Sequence, residues 1–440
     1  MKPNDGIERT PIAQAPSPLE QPSDSDKIDR RAFLTRGAGM VAATVTAWPA
    51  PAAAAAADAP AAVPPWMQTP GKPMSNYGQP SAFEKPVARI VGAPYGAIAP
   101  GSGAARTPIH ALEGTITPSG LHFERHHNGV PEIDPAAHRL LIHGLVKKPL
   151  MFTVQALLRY PMTSRICFIE CAGNSNANTN LKAPQVPAGA IHGMVSCSEW
   201  TGVPLAVLLD EAGVDPRADW LLAEGADAAA MSRSVPLAKA FDDAMIALYQ
   251  NGERLRPEQG YPVRLLLPGW EGNMNVKWLR RVKLTEGPTH TKDETSKYSD
   301  PTPDGKARQF TFEMGVKSVI TRPSIGMKMQ GAGLYEISGL AWSGAGKIRR
   351  VDVSLDGGTS WREAVLQAPI FSKSVTRFRL PWEWNGARVQ LQSRATDEKD
   401  NVQPSRASWL PDYMPQQRYH NNSIQTWAIE ADGGVSNVYL

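Results

Sequence analysis

Cysteine is scarce in this 440-residue chain, which contains only Cys167, Cys171 and Cys197. Three scattered thiols cannot hold an iron–sulfur cluster in the usual four-thiolate way, and no CxxCH segment is present to attach a c-type haem. Segments of the form HExxH, GxSxG, GxxxxGKS and GxxxxGKT are also absent. These absences exclude the zinc-protease, serine-hydrolase and P-loop classes that the motifs define.

An excess of either charge is lacking too. The 46 Lys and Arg residues stand against 42 Asp and Glu residues, and the formal net charge of +4 is too small and too dispersed for a nucleic-acid-binding protein. After residue 65 no run approaches the roughly 18 apolar residues of a membrane span. We therefore expect a soluble mature protein without nucleic acid or a membrane span as partners.

Residues 1–65 are dominated by Pro, Ala, Ser and Gln and show no helical or strand period. Within them, Arg30 and Arg31 precede Phe33 and a weakly apolar run that ends near Ala57. This layout predicts a twin-arginine export signal, and the alternative is a low-complexity tail with a chance arginine pair. Because that pathway moves folded proteins, we expect a periplasmic protein that receives a complex cofactor before export.

The remaining chain divides into three parts by its pattern of predicted strands, helices and polar residues. Short strands alternate with helices over residues 66–290, which predicts a mixed α+β domain. Residues 291–310 are polar and predict a linker. Alternating strands and turns over residues 311–440, about seven strands in all, predict an immunoglobulin-like sandwich.

Three local patterns in the first domain are specific enough to place elements. Residues 204–212, with Pro at the start and Gly213 after the end, predict a helix. The pair Asn251-Gly252 predicts a hairpin with a type I′ turn. Residues 274–284 predict one continuous strand.

Cys171 lies where an apolar strand over residues 166–170 ends, and Ala172, Gly173 and Asn174 follow it. It is half of a disulfide, an inert core thiol, or a nucleophile or metal ligand on a strand-end loop. An odd number of cysteines leaves at least one thiol free in an oxidising compartment. These considerations leave all three interpretations open.

Taken together, eight short segments resemble the sulfite oxidase family of molybdenum enzymes over nearly all of residues 115–430. In family order they are FERHH (123–127), ECAGN (170–174), EWTGVPL (199–205), GYPVR (260–264), NVKWL (275–279), GLAWSG (339–344), RVDVSLDGG (350–358) and NVQP (401–404). The FERHH segment, the EISGLAWSG run and the twin-arginine leader are closer still to the molybdenum subunit of the Sox-system sulfane dehydrogenase, the SoxC type.

The resemblance implies a sulfite-oxidase-type molybdopterin domain, followed by an all-β immunoglobulin-like sandwich domain that dimerises. It implies a molybdenum–molybdopterin cofactor with no haem on this chain, and it makes Cys171 the only protein thiolate on the metal. Arg125 and Cys171 are the implied catalytic residues. The implied cofactor-binding residues are Arg125, His126, His127, Cys171, Asp227, Arg264 and Lys277. His192 lies near the site by sequence position only.

The chain departs from the sulfite oxidases of the family at three positions. The resemblance places Leu340 where they have a tyrosine beside the metal, Asn176 where they have an arginine, and Gln259 where they have a histidine. We therefore expect a pocket that lacks a phenolic donor and some positive charge, which argues against free sulfite as substrate.

The function implied by the resemblance is oxidation of carrier-bound sulfane sulfur by oxygen-atom transfer from water. The implied partners are a c-type cytochrome, which accepts the electrons, and a sulfur-carrier protein with a cysteine-bound substrate. A homodimer within a heterotetramer is expected, with a two-fold interface on the sandwich domain. The sequence itself shows there only a β-rich domain with aromatics that look exposed, such as Trp382 and Trp384. The alternatives are a direct sulfite dehydrogenase, and a cofactor-free binding or assembly protein on the same fold.

Overall fold

A computed structural model of the chain describes residues 63–93, 99–412 and 419–440. Arg30 and Arg31, the centre of the predicted export signal, lie outside the described residues. The chain divides into two compact units, Met1–Gly78 and Gln79–Leu440, and the described part of the first contains a single 3₁₀ turn, Pro65–Met67. Within the described ranges, no helix has the length and apolar character that crossing a membrane requires.

The first part of the larger unit is built from short strands and short helices. The strands are β1 (Ile90–Val91), β2 (Gly103–Arg106), β3 (Glu124–His126), β4 (Arg139–Gly144), β5 (Leu150–Thr153), β6 (Thr163–Glu170), β7 (Val195–Pro204), β8 (Trp220–Gly225), β9 (Ser232–Pro236), β10 (Met245–Gln250), β11 (Glu253–Arg254), β12 (Arg264–Leu266), β13 (Leu279–Thr285), β14 (Asp300–Pro301) and β15 (Ala307–Arg308). The helices are α1 (Val154–Leu157), α2 (Ala188–His192), α3 (Leu205–Ala212), α4 (Leu237–Asp242) and α5 (Lys292–Thr295).

These strands form three sheets and one hairpin. Strands β1, β2 and β3 make a small antiparallel sheet. A second antiparallel sheet has the order β11-β10-β7-β6, with β12 also paired to β10. The third has the order β5-β4-β13-β8-β9, in which only the β13–β4 pair is parallel. Strands β14 and β15 form the separate hairpin.

Local sequence signals account for several of these elements. The Thr153 side chain accepts a hydrogen bond from the Ala156 amide at 3.0 Å and so caps α1. Gly213 ends α3 with a left-handed φ of 68°. Asn251 and Gly252 have φ values of 50° and 83°, the two positive values that a type I′ turn needs, and join β10 to β11.

One expectation for this part of the chain is wrong. Residues 274–284 do not form one strand, because Gly272–Met274 is a 3₁₀ turn and Trp278 takes a left-handed φ of 51°, so that β13 begins only at Leu279. The segment predicted as a linker, residues 291–310, contains α5 and the β14–β15 hairpin. The Arg233 guanidinium donates to the Asp293 carbonyl at 2.5 Å, which ties the segment to β9.

The second part of the unit is a β-sandwich. Its strands are β16 (Lys317–Arg322), β17 (Gly333–Trp342), β18 (Ile348–Ser354), β19 (Arg362–Glu363), β20 (Val365–Leu366), β21 (Thr376–Trp384), β22 (Val389–Asp397), β23 (Thr426–Ile429) and β24 (Val435–Val438), with one short helix, α6 (Arg406–Trp409). Two antiparallel sheets have the orders β16-β17-β21-β20 and β19-β18-β22-β23-β24. The expected fold class, an α+β domain followed by an all-β sandwich, is confirmed.

The sandwich core overturns the expectation for two tryptophans. Trp382 and Trp384 are 5% and 1% exposed, and both pack in the core that also contains Ile337, Val353 and Trp427. They alternate with exposed Glu383 along β21, so both indoles point to the inner face of the sheet. They are core residues and not the exposed aromatics of an interface.

Candidate active site

A cavity opens beside the small β1-β2-β3 sheet. It is lined by residues from β3, from the turn after β6, from β12 and from the irregular segment before β13. All seven residues predicted for the site line this one cavity: Arg125, His126, His127, Cys171, Asp227, Arg264 and Lys277. The structure thus brings the set together, while the role of each stays a prediction.

Cys171 follows the last residue of β6 and is held by its backbone. Its amide donates to the Met194 carbonyl at 2.9 Å, and its carbonyl accepts from the Asn174 amide at 2.8 Å. Gly272 packs against this turn so closely that a Cβ there would lie 3.2 Å from the Cys171 Cα. The thiol is 8% exposed and lies on the cavity wall. Burial raises its pKa, and the Gly173 amide and Arg125 act in the opposite direction.

All three cysteines are free, which excludes the disulfide interpretation of Cys171. Cys167 and Cys197 are each 1% exposed and lie away from the cavity. Burial raises the pKa of both thiols, and Cys197 Sγ lies 3.3 Å from Ser374 Oγ. Both therefore have the surroundings expected of inert core thiols.

No group of three or more His, Cys, Asp or Glu side chains that could hold a metal ion occurs in the described ranges. The resemblance implies that a metal at Cys171 would take this one protein ligand and that its other ligands would come from a cofactor. A soft thiolate suits a transition metal in such a mixed ligand set.

A phenol that sequence reasoning missed also lines the cavity. Tyr298 belongs to the predicted linker, and its hydroxyl lies 2.9 Å from His127 Nε2. Burial raises the pKa of Tyr298 well above its usual range. Burial and then Arg125 lower the pKa of His127 to about 3. Neutral phenol and neutral imidazole thus form a hydrogen-bonded pair near Cys171.

The segment that carries Tyr298 is fixed by its own contacts. Thr291 and Glu294 form a capping box at the start of α5. Glu294 also accepts hydrogen bonds from Ser234 on β9, and the Arg233 guanidinium lies 5.3 Å from the centre of the Tyr298 ring. A capping box in a polar segment was the one sequence signal that this stretch is ordered.

Two buried cations also line the cavity. Arg264 is 3% exposed, and it donates to the carbonyls of Gln259 and Asn275 at 2.9 Å each. Lys277 donates to the Glu258 carbonyl at 3.0 Å and lies 2.8 Å from His126 Nδ1. Burial lowers the pKa of Arg264 to about 9, and burial and then Arg264 lower that of Lys277 well below its usual range.

These two cations fit an anionic group such as the phosphate of a pterin cofactor. Neither Arg264 nor Lys277 forms an ion pair with a carboxylate of the described residues. Among the described residues, Arg264 Nε and His122 Nε2 are buried without a hydrogen-bond partner. Both residues line the cavity. A buried cation surrounded by neutral acceptors is costly, and a bound anion would offset that cost.

His126 and Asp227 complete the predicted set. His126 Nε2 lies 2.7 Å from Glu124 Oε2, and burial followed by Lys277 lowers the pKa of His126 to about 3. The neutral ring therefore links Glu124 to Lys277. Burial raises the pKa of Asp227, whose Oδ1 accepts from the Met231 amide at 3.4 Å.

The structure corrects the expectation drawn from the three departures. Gln259 lines the cavity and donates to the Phe123 carbonyl at 3.0 Å. Leu340 does not line it; it packs with Ile109 and Val375 in a separate apolar cluster. Asn176 lies outside it as well. The cavity therefore does contain a phenolic donor, from Tyr298, and Leu340 gives no argument about the substrate.

Comparison with known proteins identifies the family to which the chain belongs. Residues 127–292 match the family model described as the oxidoreductase molybdopterin binding domain, and residues 308–427 match the Mo-co oxidoreductase dimerisation domain. The chain is 32% identical over 331 residues to the mitochondrial sulfite oxidase of Mus musculus, covering 68% of this chain and 59% of that protein. It is 29% identical over 345 residues to the NADH nitrate reductase of Ulva prolifera, covering 69% of this chain and 40% of that protein.

The chain thus spans between about two fifths and three fifths of these curated relatives. A solved structure, that of the sulfane dehydrogenase SoxCD from Paracoccus pantotrophus, matches with a TM-score of 0.83 and 48% sequence identity. The match covers 86% of this chain and 98% of that chain. The protein belongs to the sulfite oxidase family of molybdenum enzymes. Within that family it is a SoxC-type member.

Proposed function

We propose that the protein is a molybdenum-dependent dehydrogenase that oxidises sulfane sulfur bound to a carrier protein and passes the electrons to a c-type cytochrome. One observation supports this most directly: the cavity joins the single thiol of Cys171 to the buried cations Arg264 and Lys277. A soft metal ligand and an anion site in one cavity match the metal and the phosphate of a molybdenum–pterin group.

The residues divide the work of holding that group. Cys171 would bind the metal as its thiolate, and the proton that burial now keeps on the thiol would leave on binding. Arg264 and Lys277 would bind the phosphate, with His126 holding the Lys277 amine in place. When bound, the group supplies two-electron oxidation coupled to oxygen-atom transfer.

Other residues of the chain act on the substrate. Arg125 lies on the same wall as Cys171, where a fixed guanidinium orients an anionic sulfur group and stabilises its charge. Tyr298 stays protonated, and its hydroxyl donates to substrate oxygen or to the neutral His127. The chain contains no CxxCH segment, so we assign the onward electron transfer to a separate cytochrome subunit.

The periplasm is the proposed compartment. The arginine pair Arg30-Arg31 and the apolar run behind it support export of a folded, cofactor-loaded protein. The sandwich domain, which matches a dimerisation-domain model, supports a homodimer. Together with one cytochrome subunit per chain, that dimer gives the proposed heterotetramer.

A direct sulfite dehydrogenase is the second candidate, and Tyr298 is the observation that favours it. A phenolic donor and a guanidinium in one cavity suit a free sulfur oxyanion as well as a carrier-bound one. The 48% identity to a sulfane dehydrogenase, against 32% to a sulfite oxidase, keeps the carrier-bound substrate as our proposal.

Metal analysis and cytochrome reduction test the proposal. The purified protein should contain about one molybdenum per chain, and its cytochrome complex should be reduced quickly by a persulfide-loaded carrier and poorly by free sulfite. Cys171→Ser should abolish turnover, whereas the matched control Cys197→Ser, which replaces a thiol already next to Ser374, should keep it.

Two results would redirect the assignment. Fast reduction by millimolar sulfite, with none by the loaded carrier, would favour the sulfite dehydrogenase. Protein without molybdenum, and an active Cys171→Ser variant, would favour the third possibility, a cofactor-free binding protein on the same fold.

A further inference from the structure

Behind the Cys171 turn lies a buried polar cluster to which both domains contribute. Glu170, the last residue of β6, accepts hydrogen bonds from Lys317 Nζ at 3.1 Å and from Trp342 Nε1 at 2.7 Å. Lys317 begins β16 and Trp342 ends β17, so both donors come from the sandwich. We call Glu170, Lys317, Ser175 and Trp342 the interdomain clamp.

The clamp holds the turn at both ends. Lys317 Nζ also donates to Ser175 Oγ at 2.6 Å, on the far side of Cys171 from Glu170. Between these two points, Asn174 Nδ2 donates to Glu170 Oε1 at 2.9 Å, and Asn174 Oδ1 accepts from the Met194 amide at 3.0 Å. Ser175 has a left-handed φ of 66°, a conformation that its bonded neighbours have to maintain.

The polar side chains of the turn therefore face away from the cavity that Cys171 lines. The side chains of Glu170 and Lys317 are 1% and 2% exposed, and neither residue lines the cavity. A buried ion pair is not needed for stability, because an apolar pair of the same size is often as stable or more so. The ion pair instead fixes one conformation of the turn. The Glu170 carboxylate accepts from three donors at once and so holds the backbone next to Cys171.

The same residues do not form a second catalytic site. Ser175 contacts both Lys317 and His192, which resembles an activated nucleophile, but Ser175 and His192 are 2% and 1% exposed. Neither lines the cavity, so no substrate can reach the hydroxyl. What remains is a positioning role.

We propose that Lys317 and Trp342 of the sandwich domain position the metal-binding thiol by clamping the turn that carries Cys171. This inference rests on the proposed role of Cys171 as the molybdenum ligand. It gives the sandwich a part in the catalytic centre besides its part in dimerisation. A ligand displaced by a fraction of an ångström changes the reaction more than it changes substrate binding.

The test removes the clamp without leaving a buried charge. Lys317→Met alone would leave the buried Glu170 carboxylate without its ion-pair partner. It is therefore combined with Glu170→Gln, which keeps the size of the side chain and removes its charge. The matched control is Lys239→Met with Asp243→Asn, because that pair is also buried, at 7% and 5% exposure with 2.6 Å between its charged atoms, and does not line the cavity.

Three readouts are compared in the holoenzyme and in cofactor-free protein. In the clamp variant we expect a shifted and broadened Mo(V) electron paramagnetic resonance signal, and a kcat lower by about tenfold to a hundredfold with little change in KM. In cofactor-free protein we expect faster alkylation of Cys171 by mass spectrometry, with Cys167 and Cys197 as unreactive internal standards. The control pair should leave these three readouts unchanged.

The outcomes separate this inference from the proposed function. If the clamp variant loads molybdenum and keeps the parent's signal, kcat and alkylation rate, the positioning role is wrong while the proposed function stands. If it does not load molybdenum, unchanged alkylation of Cys171 in the cofactor-free protein overturns the inference in the same way. If the parent itself contains no molybdenum, the proposed function has failed first.

Discussion

The neutral imidazole of His192 makes the stability of this protein depend on pH. Burial and then Lys317 lower the pKa of His192 to about 3. Its Nε2 lies 3.2 Å from Gln425 Oε1, which can only accept, so Nε2 carries the proton. Its Nδ1, 2.7 Å from Ser175 Oγ, accepts from that hydroxyl. A second proton at Nδ1 would displace this bond and face the buried Lys317 ammonium.

The magnitude follows from the two protonation states. The pKa of His192 in the folded protein lies below the 6.5 of an ordinary histidine. The unfolded chain therefore binds more protons between these two values, and the free energy of unfolding rises with pH across that window. At pH 5 the unfolded chain holds this proton and the folded protein does not, which costs the folded state about 2 kcal/mol relative to neutral pH.

Urea unfolding at pH 7 and at pH 5 measures this cost. His192→Gln cannot titrate, so its loss of stability between the two pH values should be smaller than the parent's by about 2 kcal/mol. His122, whose pKa burial also lowers to about 3, remains in both proteins and cancels in the comparison. His290→Gln, at an exposed position, is the matched control and should lose as much as the parent. Equal losses in His192→Gln and the parent would refute the reasoning.

Two further predictions concern export and assembly. Replacing Arg30 and Arg31 with lysine should leave folded, cofactor-loaded protein in the cytoplasm, because the export machinery reads the arginine pair; normal amounts in the periplasm after cell fractionation would contradict this. The sandwich domain should carry a two-fold interface, so light scattering at micromolar concentration should give the mass of a dimer. A monomer mass would show that the match to a dimerisation domain does not extend to association in this chain.

The fold was predictable where short-range chemistry decides the backbone. Gly213 after an apolar helix and the pair Asn251-Gly252 act within a few residues, and both predictions hold. Residues 274–278 were misassigned because Met274, Val276 and Trp278 alternate as in a strand. The left-handed conformation of Trp278 leaves no trace in that alternation, since it is imposed by tertiary packing.

The burial of Trp382 and Trp384 was partly predictable from the sequence. Their spacing of two places both indoles on one face of a strand. Which face of β21 packs against the second sheet depends on its pairing with β17 and β20. The sequence around the two tryptophans does not indicate that pairing, so the buried face could not be predicted.

The site was predictable as far as motif spacing carries information. Segments separated by more than a hundred residues meet at one cavity, because each carries a residue type that the resemblance ties to the cofactor. Tyr298 was missed since its segment is polar and aperiodic, and Leu340 was placed at the cavity on the strength of its motif alone. Lys317 belongs to none of the motifs found in the sequence, and only the meeting of the two domains reveals its partner Glu170.

Tyr298 also affects how this protein can be recombined with its relatives. The phenol on the cavity wall belongs to the stretch between the two domains, and that stretch is held by Arg233 and Ser234 on the side of the first domain. A chimera joined before residue 291 would take the residue at position 298 from the other parent along with its sandwich, whereas a junction after β15 would keep Tyr298. The exchangeable module is therefore the first domain together with the connector, and a crossover placed at the apparent domain boundary would divide the reaction chamber between two parents.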